Sequence, residues 1–293
     1  IKSFYFSSIF IFIHYRFSSF SICHVDGYTR QRKTLQINST LDFTIEKYEL
    51  LLRSIIQNNI TCHKLHEWIE SPNVKSNSIF IRHDVDRFPL NSLKTAQLEN
   101  KLGIRTSYYF RITKGSFNVA IIKKIAALGH EIGYHYEDLS SNNGIVQKAI
   151  SSFKKNLNLF KEITEIKSVV MHGKPMSKFN NKNLLKETDF QMLGLVGDAM
   201  LSIDYKNIFY FTDSGRSWSS SSPNLRDKVE SNLANSSVHS TDELINFIEK
   251  NNQFPTALVT HPERWSYNLI SHIRSYFLDE FVNFLKKIII YLR

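Results

Sequence analysis

The chain has 293 residues and a formal net charge of +10. Its 42% apolar and 22% charged residues are typical of a globular protein and exclude an intrinsically disordered chain. Two cysteines exclude a disulfide framework, and Lys and Arg pairs spread along the chain indicate solvated helix faces, not a nucleic-acid site. A basic surface still favours acidic polysaccharide, lipid-linked sugar or membrane headgroups through long-range attraction.

Residues 1–40 precede the first predicted element. The apolar stretch from Phe4 to Ile13 is too short to span a bilayer, and no clear cleavage site follows it. We therefore expect 1–40 to be a disordered or non-native leader and 41–293 to form one domain. We expect a cytoplasmic protein, or a periplasmic or membrane-associated one if the leader is a genuine signal. No other feature supports membrane association.

From about Leu41 onward, short apolar runs alternate with amphipathic helical patterns, from a first helix at Thr44 to a closing helix near 269–291. Seven short runs rich in β-branched and aromatic residues predict strands at 78–82, 106–111, 131–135, 168–171, 193–196, 208–211 and 257–260. This alternation predicts an α/β fold with about seven parallel strands and right-handed crossovers, closed into a barrel or left open.

Polar residues fall where the predicted strands end. They are His83, Asp84, Asp86, His135, His172, Asp213 and His261. In a parallel barrel or open α/β sheet the carboxyl ends of the strands share one face, and the active site lies there. The sequence therefore predicts an active site on that face.

Asp84 and Asp86 are two residues apart, so both side chains leave the same side of an extended backbone. Two close carboxylates repel each other unless a cation lies between them or one acts as a base. His135 and Glu137 repeat this spacing. Alone, an Asp-Val-Asp run is typical of a loop or helix cap, and a single histidine is typical of a structural residue. Together the four offer oxygen and nitrogen ligands suited to zinc or another divalent transition metal.

Three segments carry a resemblance to a known family: Arg82 to Asp86, Gly129 to His135 and Thr260 to Trp265. They resemble the NodB-type polysaccharide deacetylases, carbohydrate esterase family four, and look closest to those encoded with surface-polysaccharide biosynthesis. The resemblance covers about Leu41 to Trp265. It implies a distorted (β/α) barrel of the NodB-homology type and a hydrolase that removes N-acetyl groups from a sugar or polysaccharide.

The resemblance also implies roles for matching positions. Asp84 would be the general base, Asp86 and His135 would bind a divalent metal, with zinc the expected ion, and His261 would be the general acid. One position departs from the family pattern, which has a second metal-binding histidine where this chain has Leu139. Glu137 or Asp138 is a substitute, and the shared face with His135 favours Glu137. Such a carboxylate would give a harder, more anionic site, or mark a weakened activity.

Further residues are candidates for binding substrate. His172 is expected in the groove, and Arg216 is expected either to orient Asp84 or to bind a sugar carboxylate. Trp218 and Trp265 are candidates for stacking on a sugar ring, although core packing explains each equally well.

Two other functions remain open. One is an inactive relative that binds carbohydrate through the same groove, which Leu139 suggests. The other is a glycoside hydrolase that uses Asp84 and Glu137 as its two carboxylates. His135 and His261 argue against the second, because that chemistry needs no histidine.

Overall fold

The computed structural model describes residues 41–71, 76–218, 229–233 and 238–292, so the expectations for 1–40 lie outside the described residues. The described chain forms an all-parallel sheet. Its strands are β1 (Thr61–His63), β2 (Ser78–Val85), β3 (Ser107–Phe110), β4 (Glu131–Tyr136), β5 (Ser168–Met171), β6 (Gly197–Asp198), β7 (Phe209–Thr212) and β8 (Thr256–Thr260).

Helices follow most strands, as the sequence pattern predicts. They are α1 (Ile45–Gln57), α2 (Leu65–Glu70), α3 (Pro89–Lys101), α4 (Val119–Ala127), α5 (Asp138–Ser141), α6 (Val146–Lys161), α7 (Thr241–Lys250) and α8 (Leu269–Leu292). Side chains stabilise their starts: the Thr44 hydroxyl accepts the Lys47 amide, and Ser240 and Glu243 form a capping box. Within the described part of the chain, no helix has the length and hydropathy needed to cross a membrane.

The strand order is β6-β5-β4-β3-β2-β8-β7, and the sheet curls into a half-barrel with β1 added beside β2. This confirms the α/β fold of distorted-barrel type. β1 and β3 pair with successive halves of β2, residues 78–80 and 82–85, while β8 pairs with 79–83. Sequence analysis missed β1 because three residues carry too little periodicity to distinguish a strand from a loop.

The strand expected at 193–196 is wrong. The structure has a 3₁₀ turn at Gln191–Leu193, and Gly194 ends it in the left-handed region with φ of +62°. Because glycine adopts this conformation at little cost, it closes the turn, and the strand begins only at Gly197.

β2 is buried along its whole length, and its side chains alternate between two environments. Ile79 and Ile81 pack in the apolar cluster that includes Leu51 and Leu52 of α1, whereas Phe80 packs against Tyr109 inside the curled sheet. Burying one such aliphatic or aromatic side chain contributes about 1.5–3 kcal/mol relative to leaving it exposed. By the same alternation, Arg82 and Asp84 share the side of Phe80.

Gly133 of β4 lies against the ring of Tyr109. A Cβ atom at this position would overlap that ring and would lie 2.8 Å from the carbonyl oxygen of Ser168 on β5. Glycine therefore lets the Tyr109 ring lie against β4, two residues before His135.

On the opposite side of β2, His83 belongs to a closed polar cluster, which we name the Glu99 cluster. Glu99 lies on α3, and its two carboxylate oxygens contact the side chains of four residues: Tyr48, His83, Thr106 and Tyr108. His130 completes the cluster, 3.7 Å from Glu99 Oε2. The side chains of Glu99 and both histidines are fully buried.

Candidate metal centre

Asp86, His135 and His172 form the one group of potential metal ligands found among the described residues. Their ligand atoms all lie within 4.8 Å of one another. His172 Nε2 is 3.5 Å, and His135 Nε2 is 3.7 Å, from Asp86 Oδ1. Ligand atoms bound to a tetrahedral zinc at about 2.0–2.2 Å lie about 3.3–3.6 Å apart, so these separations suit a metal ion.

Parallel strand pairing brings the two histidines together. His135 on β4 is in register with Val170 on β5, and Tyr136 is in register with Met171. The His172 amide then donates to the Tyr136 carbonyl at 2.7 Å, which extends the pairing by one residue. The two imidazole ring centroids are consequently 5.1 Å apart.

Both imidazoles are held with Nε2 free to bind a metal. His135 Nδ1 lies 3.2 Å from the Val170 carbonyl oxygen, and His172 Nδ1 lies 3.1 Å from Glu137 Oε2. Because a carbonyl or a carboxylate can only accept, each Nδ1 is the donor, which leaves Nε2 as the metal-facing nitrogen of each ring. Metal-binding histidines are commonly fixed by such outer partners.

The protonation states also suit metal binding. Burial opposes ionisation of Asp86, yet the neighbouring His172 and His135 hold its pKa well below the ordinary value. Burial lowers the pKa of His135 to about 4, so its ring is neutral near pH 7. Asp86 Oδ1 is buried and has no hydrogen-bond partner among the described residues. Arg111 Nη1 is 3.7 Å from the same oxygen, too far for a hydrogen bond. A carboxylate oxygen without a hydrogen bond, facing the Nε2 atoms of two imidazoles, fits a divalent cation.

Glu137, expected as a metal ligand, lies outside this group. Its Oε1 accepts from Arg111 Nη2 at 2.9 Å, and its Oε2 faces His172 Nδ1 and Lys174 Nζ, the latter at 3.4 Å. Both carboxylate oxygens are therefore engaged by Arg111, His172 and Lys174. Leu139 packs in the apolar core. The third potential ligand is therefore His172, from the next strand.

Asp84 lies beside the metal centre and is held by Arg82. Arg82 Nε donates to Oδ1 at 3.0 Å and Nη2 donates to Oδ2 at 2.8 Å, a two-point contact inside the half-barrel. Burial opposes ionisation of Asp84, but the Arg82 guanidinium holds its pKa below the ordinary value. Asp84 Oδ2 is 3.8 Å from His135 Nε2. The side chain is thus an ionised carboxylate next to the ligands.

Arg216, expected either to orient Asp84 or to bind a sugar carboxylate, does not line the cleft and contacts α8. Its Nε donates to Asp279 Oδ2 at 2.9 Å and its Nη2 donates to Ser275 Oγ at 2.7 Å, both on α8. These contacts engage the guanidinium in anchoring α8, and Arg82 holds Asp84 instead.

Trp218 and Trp265, candidates either for stacking on sugar or for core packing, are buried. Their exposed fractions are 1% and 0%, and their rings pack together with Phe43 in the core. Trp218 Nε1 donates to Thr241 Oγ1 at 3.2 Å, which satisfies the indole. Core packing, the alternative that the sequence left open, is what the structure shows.

His261 faces the same cleft from the end of β8 and is held by Asp213. Its backbone amide donates to Asp213 Oδ2 at 2.9 Å, and its Nδ1 lies 2.6 Å from Oδ1. Burial and nearby Arg264 oppose protonation of His261, but Asp213 outweighs both and raises the pKa of the imidazole above its ordinary value. A raised pKa keeps a proton available on the ring.

A cleft of about 420 Å³ opens over these groups. Charged and polar side chains from the strand ends line it, among them Asp84, Asp86, Arg111, His135, His172, His261, Glu263 and Arg264. Of the expected substrate-binding residues, only His172 reaches the cleft. The strand ends thus bring together five of the nine predicted site residues: Asp84, Asp86, His135, His172 and His261.

No family model matches this sequence, and a search of curated proteins finds no related protein. The functional argument therefore rests on the residues of the cleft.

The contacts of three residues in the site were not predicted from the sequence: Arg82 with Asp84, His172 with Asp86, and Asp213 with His261. The i, i+2 rule that pairs Asp84 with Asp86 also puts Arg82 on their face. His172 follows the strand after β4, and consecutive strands of such a fold are commonly neighbours, which is a signal for proximity to His135. Asp213 lies at a strand end, but no spacing in the sequence links it to His261.

Proposed function

We propose that the chain is a metal-dependent deacetylase that removes N-acetyl groups from a sugar or polysaccharide in cell-surface polysaccharide biosynthesis, as its resemblance to NodB-type deacetylases implies. One observation carries the proposal. A group of potential metal ligands, Asp86, His135 and His172, lines the same cleft as an ionised carboxylate, Asp84, and a histidine of raised pKa, His261. A base and an acid on a metal centre are the groups that hydrolysis of an amide requires.

The ligand set favours zinc. Two imidazoles and one carboxylate are typical of catalytic zinc, which keeps a further position open for water or substrate. When bound, the ion would polarise the acetamide carbonyl and lower the pKa of a water molecule.

The residues of the chain supply the proton transfers. Asp84, oriented by Arg82, takes a proton from the attacking water at a carboxylate oxygen. His261, oriented by Asp213, donates a proton to the leaving amine nitrogen as the carbon–nitrogen bond breaks. The products are acetate and a free amino sugar. Asp84 has then gained one proton and His261 has lost one.

The two-carboxylate glycosidase alternative has weaker support. Such enzymes need one carboxyl group with a raised pKa as the acid. Asp84 and Glu137 both have a pKa below the ordinary value, because cationic neighbours outweigh the burial that opposes their ionisation. Neither residue would carry a proton at neutral pH.

Replacing the base separates metal binding from turnover. We expect Asp84→Asn to keep stoichiometric zinc but to lower acetate release about 10²–10⁴-fold, the usual contribution of a general base. Metal content is measured by elemental analysis, and acetate release on a panel of N-acetylated hexosamine oligosaccharides. His135→Ala should lose the metal as well as turnover.

Asp204→Asn is the matched control, because this aspartate is exposed and lies outside the cleft. It should keep both metal and activity. Wild-type acetate release by Asp84→Asn would refute the assignment of the base. Purified protein with neither bound metal nor acetate release would refute the deacetylase and leave the inactive carbohydrate-binding relative.

A further inference from the structure

The closing helix α8 has its polar face buried. Ser275, Asp279 and Asn283, spaced four residues apart, are 5% to 8% exposed. Asp279 accepts from Arg87 Nη2 at 2.8 Å and from Arg216 Nε at 2.9 Å. Charged and polar contacts, not apolar ones, therefore fasten this face of the helix to the domain.

The opposite face of α8 is apolar and exposed. Its members share spacings of three or four residues, which align them in one stripe. They are Ile270 (82% exposed), Ile273 (47%), Phe277 (68%), Phe281 (61%), Phe284 (60%) and Ile288 (40%). Together they present apolar surface on the order of 600–700 Å², above what a monomer usually exposes in one patch. A surface helix usually buries its apolar face and exposes its polar face, whereas α8 does the opposite. Its exposed apolar face is therefore expected to bind a partner surface.

The apolar surface extends beyond α8. Phe88 and Leu90, at the start of α3, are 40% and 54% exposed, and the Arg274 guanidinium lies 5.3 Å from the centre of the Phe88 ring. The surface is thus wider than the single stripe that one partner helix would cover. We name the stripe together with Phe88 and Leu90 the α8 patch.

We propose that the α8 patch docks onto an anionic lipid surface. Its width suits the plane of a bilayer, into which an amphipathic helix buries its apolar face. The net charge of +10 attracts the chain to anionic headgroups and opposes pairing of two like copies. The arginine contacts of Asp279 neutralise the acidic residue on the inner face, while Arg274 is exposed at the edge of the patch.

The inner side of α8, opposite the α8 patch, borders the cleft. Asp279 and Val282 of α8 line it, together with Arg87 and Arg264. Docking through the α8 patch does not depend on which reaction the cleft performs.

Vesicle binding of the full chain tests the docking. Co-sedimentation is measured with vesicles of phosphatidylcholine alone and of phosphatidylcholine with about one third phosphatidylglycerol. We expect binding to the anionic vesicles, weakened by salt, and a loss on the order of tenfold or more in Phe277→Ser/Phe281→Ser. The control, Leu159→Ser/Met192→Ser, removes exposed apolar side chains from elsewhere and should bind like wild type.

Thermal unfolding checks that both double variants are folded. Because all four positions are exposed, each variant should unfold cooperatively near the wild-type temperature. Equal vesicle binding by wild type and Phe277→Ser/Phe281→Ser would overturn the proposal, as would no binding to either vesicle. Sedimentation equilibrium identifies the competing occupant. A dimer that Phe277→Ser/Phe281→Ser dissociates, in a chain that binds no vesicles, would assign the α8 patch to a second copy.

Discussion

The Glu99 cluster and the metal centre contain the same kinds of residue but differ in how their polar atoms are satisfied. Each combines one carboxylate with two histidines. The two sites meet on β2, where His83 of the Glu99 cluster precedes Asp84, which lies beside the metal centre. In the Glu99 cluster both carboxylate oxygens contact hydroxyl or imidazole groups, and His130 Nε2 faces the Ala96 carbonyl. In the metal centre Asp86 Oδ1 has no hydrogen-bond partner among the described residues.

The difference teaches that residue type alone does not make a metal site. The alternation of β2 sends His83 toward α3, where hydroxyl groups surround Glu99, and sends Asp84 toward the cleft. A closed network stabilises the fold, because every buried polar group is paired. An open group, with ligand atoms left unpaired around one point, is free to bind a cation.

Breaking the closed cluster should have the largest effect on stability. We expect Glu99→Ala to lower the free energy of unfolding by about 3–5 kcal/mol, because four polar partners lose their acceptor in a buried site. Urea denaturation measures the change. Should this variant not fold, Glu99→Gln keeps an acceptor oxygen and provides a milder test. Unchanged stability in both would contradict the structural role of the cluster.

Removing a potential ligand from the metal centre should instead affect metal binding. We expect His172→Ala to lower zinc affinity by more than about 100-fold, since it removes one of three ligands, a larger change than loss of an outer partner. Stability of the metal-free protein should change little, because His172 is partly exposed. Competition with a chelator gives the affinity. A variant with wild-type affinity would exclude His172 as a ligand.

Glu137→Gln tests the outer contact of His172. The amide cannot attract the Nδ1 proton as strongly as the carboxylate, so we expect about a 10–100-fold loss of zinc affinity. Glu187→Gln, an exposed carboxylate outside the cleft, serves as the comparison. If Glu137 were itself a ligand, its loss would match that of His172→Ala.

The smallest expected effect is on how the stability of the protein depends on acidic pH. Burial opposes ionisation of Glu99, but His83 and the other donors lower its pKa from 4.5 to about 2. A lowered pKa contributes stability above the unfolded value, which is lost as pH falls from about 4.5 toward about 2. We expect Glu99→Gln to remove about 1 kcal/mol of this acid dependence near pH 3.5. Identical titration of wild type and variant would argue against a buried ionised Glu99.

Much of the fold follows from local patterns. The alternation of short apolar runs and amphipathic helices predicts the parallel sheet, and turn glycines and capping residues mark several ends. The strand expected at 193–196 failed because Gly194 closes a turn, which apolar content alone does not indicate. Three-residue β1 gave too short a pattern.

Site residues were predictable where their position at the end of a single strand places them in the cleft. Asp84, Asp86 and His135 follow from the position of strand ends. Glu137 lies outside the ligand group, and spacing along a strand does not show which neighbouring side chains will engage a carboxylate. Trp218 and Trp265 illustrate the same limit, since burial of an aromatic ring depends on helices far away in the sequence.

Gly133 has a consequence for which substitutions the domain tolerates. Any larger residue there would press on Tyr109 and on the neighbouring strand, and so shift the end of β4. His135 follows two residues later, so its imidazole would move away from the imidazole of His172. Loss of function by inherited variation can therefore arise at a residue with no chemical group, because it sets the spacing of those that have one.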